Sequence, residues 1–194
     1  MNLFALSPCP KESAMFMCDK HIGKLAVEGM QTLVSAMLIS GAPPHRMPLT
    51  SNGEPHRGGY KHHPLTLWTA ESLVHWRWVF KHTEALCEEF LYRFGKRHAV
   101  AKQLLELKRN FMWEDYVPDT QGEDRTRHAR PSFFERCFNQ SKGENLDLVD
   151  TDLWPCDHEA YREFYRRDKY AFAKWEKGRE SPGWWCKPMG ERKK

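Results

Sequence analysis

The sequence predicts an all-α fold: one compact domain, residues 1–194, built on two long helices plus a C-terminal aromatic-basic helix. Apolar residues recur at helical spacing through the long segments. No stretch of useful length alternates apolar and polar residues as a half-buried strand would, and clusters of Gly and Pro separate the helical segments. The chain has 194 residues, of which 40% are hydrophobic and 29% charged, values typical of a single folded globular domain.

The first long helix is expected over about residues 11–40. A Ser-Pro-Cys-Pro segment at 7–10 precedes it, and Gly-Ala-Pro-Pro at 41–44 ends it. The helix is apolar around most of its circumference, so we expect it to be central, with its narrow polar stripe facing solvent or lining a cleft. That stripe is formed by His21, Lys24, Glu28, Gln31, Thr32 and Ser35.

A loop rich in Pro, Gly and His follows at 41–64. It is long for a connection without structure of its own, and such loops are usually functional or mobile. The remaining elements are expected in this order: a helix over 65–94 ending at Gly95, a helix over 97–109, a loop over 113–131, one helical turn within 132–138, a helix over 157–177 closed by Gly178, and an aromatic-basic tail at 178–194.

Several classes of protein are disfavoured by composition. No run of about 18 apolar residues predicts a membrane span, and the N-terminus lacks the pattern of a secretory signal. The six cysteines are scattered, which favours a reducing compartment such as the cytoplasm. The ten histidines include no close pair of ligands matched by a second pair of Cys or His, so we predict no metal, and zinc in the His-rich loop stays the less favoured interpretation. The sequence likewise predicts no cofactor.

Basic and aromatic residues are concentrated near the C-terminus. Residues 155–194 hold eleven Lys and Arg against seven Asp and Glu, a surplus equal to the whole net charge of +4. Basic groups interleaved with aromatic rings suit phosphate neutralisation and base stacking. The sequence equally favours an alternative, an aromatic helix that packs on the core and has a solvated basic face. The candidates for DNA contact are Arg162, Arg166, Arg167, Trp184 and Trp185.

The polar stripe of the first helix is the candidate catalytic site. His21 and Lys24 are three residues apart and Lys24 and Glu28 are four apart, so the three side chains can touch. A carboxylate in such surroundings can act as a general acid or base. We therefore predict catalytic roles for these three residues and a binding role for Gln31, whereas the simpler alternative is a solvated stripe.

Two further sets of residues are candidates for substrate contact. Tyr60, Lys61, His62 and His63 follow two glycines at the end of the long loop, in a segment suited to phosphate. Glu71 and His75 are four residues apart on the second predicted helix and could face the stripe; the alternative is an ordinary surface pair.

The opening segment, Asn2 to Pro8, and the spacing that follows resemble a known family. Asp19-Lys20-His21 precedes Glu28, which lies nine residues after the aspartate. This pattern is similar to that of the pyrimidine-dimer DNA glycosylases of the phage endonuclease V type, in which a helix carries Asp-x-His and then the catalytic glutamate. The resemblance implies an all-α fold, duplex DNA as partner, a nucleotide flipped out of kinked DNA, a catalytic role for Glu28, and an aromatic-basic tail.

The sequence also departs from that family's pattern. The family's nucleophile is the α-amine exposed when Met1 is removed before a small residue, and Asn2 is large enough that we expect Met1 to stay. Val27 and Gln31 stand where the family has arginines. The carboxylate and its helix therefore remain, while residues that serve the lyase step and DNA kinking are replaced.

These departures favour a relative that still binds pyrimidines in DNA but performs different chemistry. We expect a phage-type enzyme of the bacterial host's cytoplasm that transfers a small amine or amino-acid donor onto an activated 5-hydroxymethyluracil in duplex DNA. Glu28 or His21 would deprotonate the incoming amine, and Lys24 or nearby arginines would hold the leaving pyrophosphate. The first alternative is cleavage of the N-glycosidic bond, and the second is a non-catalytic DNA-binding accessory protein.

Overall fold

The computed structural model describes residues 2–110, 116–117, 130–138 and 146–186. Within these ranges the protein is all-α, as the sequence predicts, and an isolated bridge between Leu49 and Pro55 is the one β-type pairing. The predicted loop at 113–131 and the end of the predicted tail lie largely outside the described residues. The helices are α1 (Pro10–Phe16), α2 (Asp19–Ile39), α3 (Pro64–Glu71), α4 (Leu73–Phe94), α5 (Val100–Asn110), α6 (Leu146–Val149) and α7 (Asp157–Lys169), with a 3-10 turn at Pro44–Arg46.

The centre of the fold is the packing of α2 against α4. Gly29 of α2 lies directly on Thr83 of α4, because a Cβ at residue 29 would overlap the threonine hydroxyl. Large side chains such as Trp76 and Met30 are fully buried around this crossing. Burying one such side chain contributes roughly 1.5–3 kcal/mol, so this crossing stabilises the position of α2 in the fold.

Each of the two predicted long helices is in fact broken into two. The first breaks at residues 17–18, where Arg93 donates hydrogen bonds to the carbonyls of Met15 (3.0 Å) and Met17 (2.8 Å). The second breaks at Ser72, whose backbone is extended and whose hydroxyl caps α4 by accepting from the N–H of Val74 at 3.2 Å. A capping serine and a distant arginine therefore end helices that apolar periodicity alone would continue.

Three further sequence predictions differ from the structure. The C-terminal helix ends at Lys169, and the chain then turns back so that Asp19 donates its N–H to the carbonyl of Lys174 at 2.9 Å. Residues 132–138 are not helical; they run alongside α7, whose Asp157 accepts from the N–H of Phe134 at 2.8 Å. The loop at 41–64 is not structureless, since it contains the 3-10 turn and the bridge.

Among the described residues, α2 is the one helix whose length and apolar composition would let it cross a membrane. However, 61% of its most apolar stretch is buried inside the protein. The central helix of a folded domain has the same character.

Candidate active site

The extended segment before α1 is buried and fixes the position of the second residue of the chain. The hydroxyl of Ser13 accepts from the N–H of Leu6 and donates to the carbonyl of Phe4, both at 3.1 Å. Arg162 donates to the carbonyl of Leu6 at 2.8 Å. Because backbone groups in a buried segment need partners, these contacts hold the segment in one path and hold Asn2 at its end.

Asn2 meets the carboxylate of Glu28. Its backbone N–H donates to Glu28 Oε2 at 3.1 Å, its side-chain oxygen accepts from the N–H of Phe4 at 3.0 Å, and its side-chain nitrogen donates to the carbonyl of Cys137. Asn2 is not among the site residues predicted from the sequence, where it belongs to the opening segment that resembles the family and departs from the family's pattern by its size. No sequence signal pointed to the carbonyl at Cys137, which lies 135 residues further along the chain.

Glu28 lies at the edge where α2 comes to the surface. Its side chain is 16% exposed, and Oε1 lies 3.4 Å from the ammonium of Lys24, whose side chain is 66% exposed. Each carboxylate oxygen thus has a donor. The contact with such an exposed lysine contributes at most about 1 kcal/mol, so Lys24 remains free in energetic terms to move to a phosphate. The predicted pair of Lys24 and Glu28 is therefore present and open to solvent.

The end of the long loop lies along the same stripe of α2. The Ser35 hydroxyl accepts from the N–H of Gly59 at 2.7 Å and donates to its carbonyl at 2.8 Å. Gly58 has a φ of +71°, and a Cβ there would overlap the hydroxyl of Ser35. A Cβ on Gly59 would lie 3.4 Å from the side chain of Gln31. At residue 58 only glycine permits this approach, whereas a Cβ at residue 59 would make an ordinary contact, and the loop forms one wall beside Gln31.

His63 brings an imidazole towards Glu28. Its Nδ1 accepts from the N–H of Leu65 at 3.2 Å and caps α3, so the proton of the neutral ring is on Nε2. Burial lowers the pKa of His63, and the nearby Glu28 carboxylate partly offsets that shift. Tyr60, Lys61 and His62, the other predicted members of this segment, are exposed.

His21 lies in the aromatic core rather than beside Glu28. Its Nδ1 shares a hydrogen bond with the hydroxyl of Tyr165 at 2.6 Å, and its ring is stacked on Phe4 at 5.2 Å. Burial, reinforced by neighbouring lysines, lowers the pKa of His21 to about 3, so the ring is neutral. Its position suits a residue that holds the N-terminal segment. Asp19, two residues earlier, accepts from Arg93 at 3.0 Å.

Glu71 and His75 are not a helical pair, because α3 ends at Glu71 and α4 begins after Ser72. The predicted i, i+4 geometry is therefore wrong. His75 is buried, with Nδ1 2.7 Å from the carbonyl of Trp68 and its ring stacked on that indole at 4.1 Å. Burial lowers the pKa of His75, and the hydrogen bond to the Trp68 carbonyl, followed by the charge of Glu71, partly offsets that shift. Glu71 itself is exposed.

The three candidate arginines of α7 contact acceptors within the protein. Arg162 binds the carbonyl of Leu6, Arg166 donates to Glu163 at 2.9 Å, and Arg167 donates to the same carboxylate at 2.8 Å. Charge-assisted bonds of this kind satisfy the guanidinium groups internally. DNA contact by these arginines stays a prediction, and the geometry favours the packing alternative.

The two candidate tryptophans of the tail also pack on the protein. The ring of Trp184 meets Phe16 edge-on at 5.9 Å, and that of Trp185 lies 4.8 Å from Trp175. Both are only partly exposed, and both contact Tyr165 of α7. These rings close the side of the fold that holds α7, and base stacking by them stays a prediction.

The described residues offer neither a cluster of metal ligands nor a reactive thiol at Cys137. Within the described ranges, no group of three or more His, Cys, Asp and Glu side chains is placed to hold a metal ion. The carbonyl of Cys137 binds Asn2, and burial, with Glu135 nearby, raises the pKa of the Cys137 thiol to about 12. A thiol with so high a pKa is not a nucleophile at neutral pH.

Fold and site together define a class of protein: an all-α protein in which a carboxylate on the central helix receives a hydrogen bond from the second residue of the chain. The chain belongs to the pyrimidine dimer DNA glycosylase family, whose model matches residues 1–103. The resemblance predicted from the sequence is thereby confirmed, and DNA is the substrate class. The match includes Glu28, Lys24 and His63 and excludes 130–138 and α7. No curated protein and no solved structure shows significant similarity to the chain.

Proposed function

We propose that the protein is a DNA glycosylase that hydrolyses the N-glycosidic bond of a pyrimidine nucleotide in duplex DNA, with Glu28 as the general base. The observation that carries this proposal is the hydrogen bond between the nitrogen of Asn2 and Glu28 at 3.1 Å, at the surface edge of a buried helix. This bond supports the proposal because it would hold the carboxylate within reach of a nucleotide turned out of the duplex. Membership of a DNA glycosylase family supports the same reaction.

The proposed reaction uses Glu28 and its neighbours in distinct roles. The carboxylate takes a proton from a water molecule, the water oxygen bonds to C1′ of the sugar, and the bond from C1′ to the base nitrogen breaks. The bonding electrons leave with the base, which takes up a proton. The Nε2–H of His63 is suited to donate a hydrogen bond to the departing base, and the ammonium of Lys24 to meet a phosphate.

The state of the N-terminus decides between hydrolysis and a covalent route. If Met1 stays, the nitrogen of Asn2 is an amide and cannot attack C1′. If Met1 is removed, the same nitrogen is an amine that can form a Schiff base with the opened sugar. Because Asn2 is large, we expect Met1 to stay, so the intact mass includes Met1 and borohydride traps no protein–DNA adduct. A trapped adduct would overturn the hydrolytic route while leaving Glu28 at the centre of the site.

The decisive variant is Glu28→Gln, which keeps the shape of the side chain and removes the base. On a duplex with a single cyclobutane thymine dimer, scored by alkali cleavage at the abasic product, we expect base release to fall by roughly 10²–10⁴-fold. DNA affinity and melting temperature should stay close to wild type. The matched control is Glu88→Gln, at an exposed position of α4, which should be fully active. Undiminished base release by Glu28→Gln would contradict the proposal.

The second candidate is the transfer of an amine or amino acid onto an activated 5-hydroxymethyluracil. The observation that favours it is the large Asn2: with Met1 retained, the site has a base, but residue 2 has no free amine to act as the nucleophile. Glu28 would deprotonate the donor amine, whose nitrogen would bond to the methylene carbon at C5 as the bond to the pyrophosphate oxygen breaks. Lys24 would balance the charge of the leaving group.

Nucleoside mass analysis separates the possible functions. DNA with 5-hydroxymethyluracil, and the same DNA with its pyrophosphorylated form, is incubated with protein and an amine donor and then digested. A nucleoside heavier by the donor identifies transfer, and free base with an abasic site identifies glycosylase activity. DNA binding without either product on any of these duplexes would identify the accessory protein. All three possible functions require DNA, and the cytoplasm of the bacterial host stays the predicted location.

A further inference from the structure

The backbone of Tyr60 adopts an unusual conformation. Its φ is +56°, in the left-handed region that side chains other than glycine rarely adopt, and in the part of the chain that the structure describes only Phe4 shares this property. Phe4 is buried in the core, whereas Tyr60 is 62% exposed. Burial of its ring therefore does not compensate for the strain, and a glycine at this position would be unstrained.

The strain at Tyr60 is imposed by contacts on both sides. Gly59 is fixed to α2 through its two hydrogen bonds with Ser35. The carbonyl of Tyr60 accepts from the N–H of His63 at 3.0 Å, and His63 in turn caps α3. The exposed ring thus projects from a segment attached to two helices. Strained conformations of this kind persist where the surrounding structure determines them and are concentrated at functional sites.

The backbone of Tyr60 lies in a segment whose two ends are close to the Glu28 side of α2. Gly59 packs on Gln31, which is one turn along α2 from Glu28, and His63 is close enough to Glu28 for that carboxylate to affect its pKa. Tyr60 lies between these two points along the chain. Exposed cations, Arg57 and Lys61, are on either side of it in sequence. An exposed aromatic ring on a backbone that is fixed on both sides, with cations near it in sequence, has the features of a surface that binds a nucleic-acid strand.

We propose that Tyr60 is a stacking platform for a nucleobase of the bound DNA, next to the nucleotide that enters the Glu28 site. The inference rests on the proposed function, because it requires DNA in this cleft. Stacking on an aromatic face depends little on which base is present, so Tyr60 would strengthen binding and hold the opened duplex without selecting a sequence. The hydroxyl is not needed for stacking, and a phenylalanine should replace it.

The test compares Tyr60→Phe, Tyr60→Ala and Tyr60→Gly with the wild type, and the matched control is Tyr92→Ala on α4, where the tyrosine is 58% exposed. The probe is a duplex with one cyclobutane thymine dimer and 2-aminopurine beside it. We expect the Ala and Gly variants to bind about 5- to 150-fold more weakly, while the Phe variant and the control bind as wild type. In the saturated complex, quenching of 2-aminopurine should persist with Phe and be lost with Ala and Gly.

Tyr60→Gly separates a stacking role from a structural one. Glycine relieves the strain at φ +56°, so the melting temperature of the Tyr60→Gly variant should equal that of the wild type or exceed it by up to about 4 °C. The DNA affinity of the same variant should nevertheless be reduced. A lower melting temperature with unchanged affinity and quenching would show that the ring stabilises the fold, and would overturn the proposal.

Failure of this inference can be told from failure of the proposed function. Binding and quenching are measured without turnover, and they should depend on Tyr60 equally in a Glu28→Gln background. If the wild type releases base and the Tyr60→Ala variant binds DNA and quenches 2-aminopurine normally, only the stacking platform is overturned. If 2-aminopurine quenching depends on Tyr60 but the protein releases no base, the platform is supported and only the hydrolytic reaction is overturned.

Discussion

Acid should destabilise the protein through two buried histidines, and His82 is the clearer of the two. His82 is 1% exposed and lies stacked on Trp78 at 4.9 Å. Within the described residues neither of its ring nitrogens has a hydrogen-bond partner. Burial lowers its pKa to about 3, as it does for His21 with help from nearby lysines. Both rings are therefore neutral in the folded protein.

The size of the effect follows from the two pKa values. In the unfolded chain a histidine binds its proton near pH 6.5, whereas these two in the folded state do so only near pH 3. The folded state binds fewer protons, so its advantage is complete above pH 6.5 and is lost as the pH falls towards 3. When the pH falls from 7.5 to 5, each of the two histidines should lower the free energy of unfolding by about 2 kcal/mol. About 4 kcal/mol from the pair is a large part of the 5–15 kcal/mol typical of a domain.

Urea denaturation of wild type and His82→Leu at pH 7.5 and pH 5 measures this contribution. Leucine is apolar and does not titrate, so the variant should lose about 2 kcal/mol of the pH dependence while the share from His21 remains. Other titrating groups are common to both proteins and cancel in the comparison. The control is His45→Leu, at an exposed position, which should keep the wild-type pH dependence. An unchanged difference between the two pH values in His82→Leu would refute the reasoning.

Three further predictions concern packing and charge. Gly29→Ala should destabilise the protein by about 1–3 kcal/mol in urea, because the new methyl overlaps Thr83, and Thr83→Ala should restore part of the loss. Glu89→Gln should cost about 3 kcal/mol by the same assay, because it leaves the buried guanidinium of Arg93 without its anionic partner on α4; an effect below 1 kcal/mol would mean that Asp19 suffices. Replacing Arg162, Arg166 and Arg167 together by alanine should change the slope of log affinity for DNA against log salt concentration by less than one unit, because these arginines bind acceptors within the protein. A slope flatter by two or three units would instead identify them as phosphate contacts.

The sequence by itself determined the helical class and the central carboxylate. Helical periodicity is a local property, so the apolar circumference of α2 and the exposed edge with Lys24 and Glu28 could be predicted from residue spacing alone. The spacing from Asp19 to Glu28 likewise carried the family resemblance, because both residues lie on one continuous helix. The DNA-binding alternative for the basic tail could not be decided in this way, since a sequence shows charges but not their partners.

Only the tertiary structure decided where helices break and what meets Glu28. The break before α2 depends on Arg93, which is 76 residues from the carbonyl of Met17 that it binds. The placement of Asn2 depends on the carbonyl of Cys137, even farther along the chain. His21 shares the polar stripe on the helical wheel with Glu28, yet it turns into the core because Tyr165 of α7 provides its partner there. Such contacts join segments that have no local pattern in common, so their geometry arises only when the helices pack.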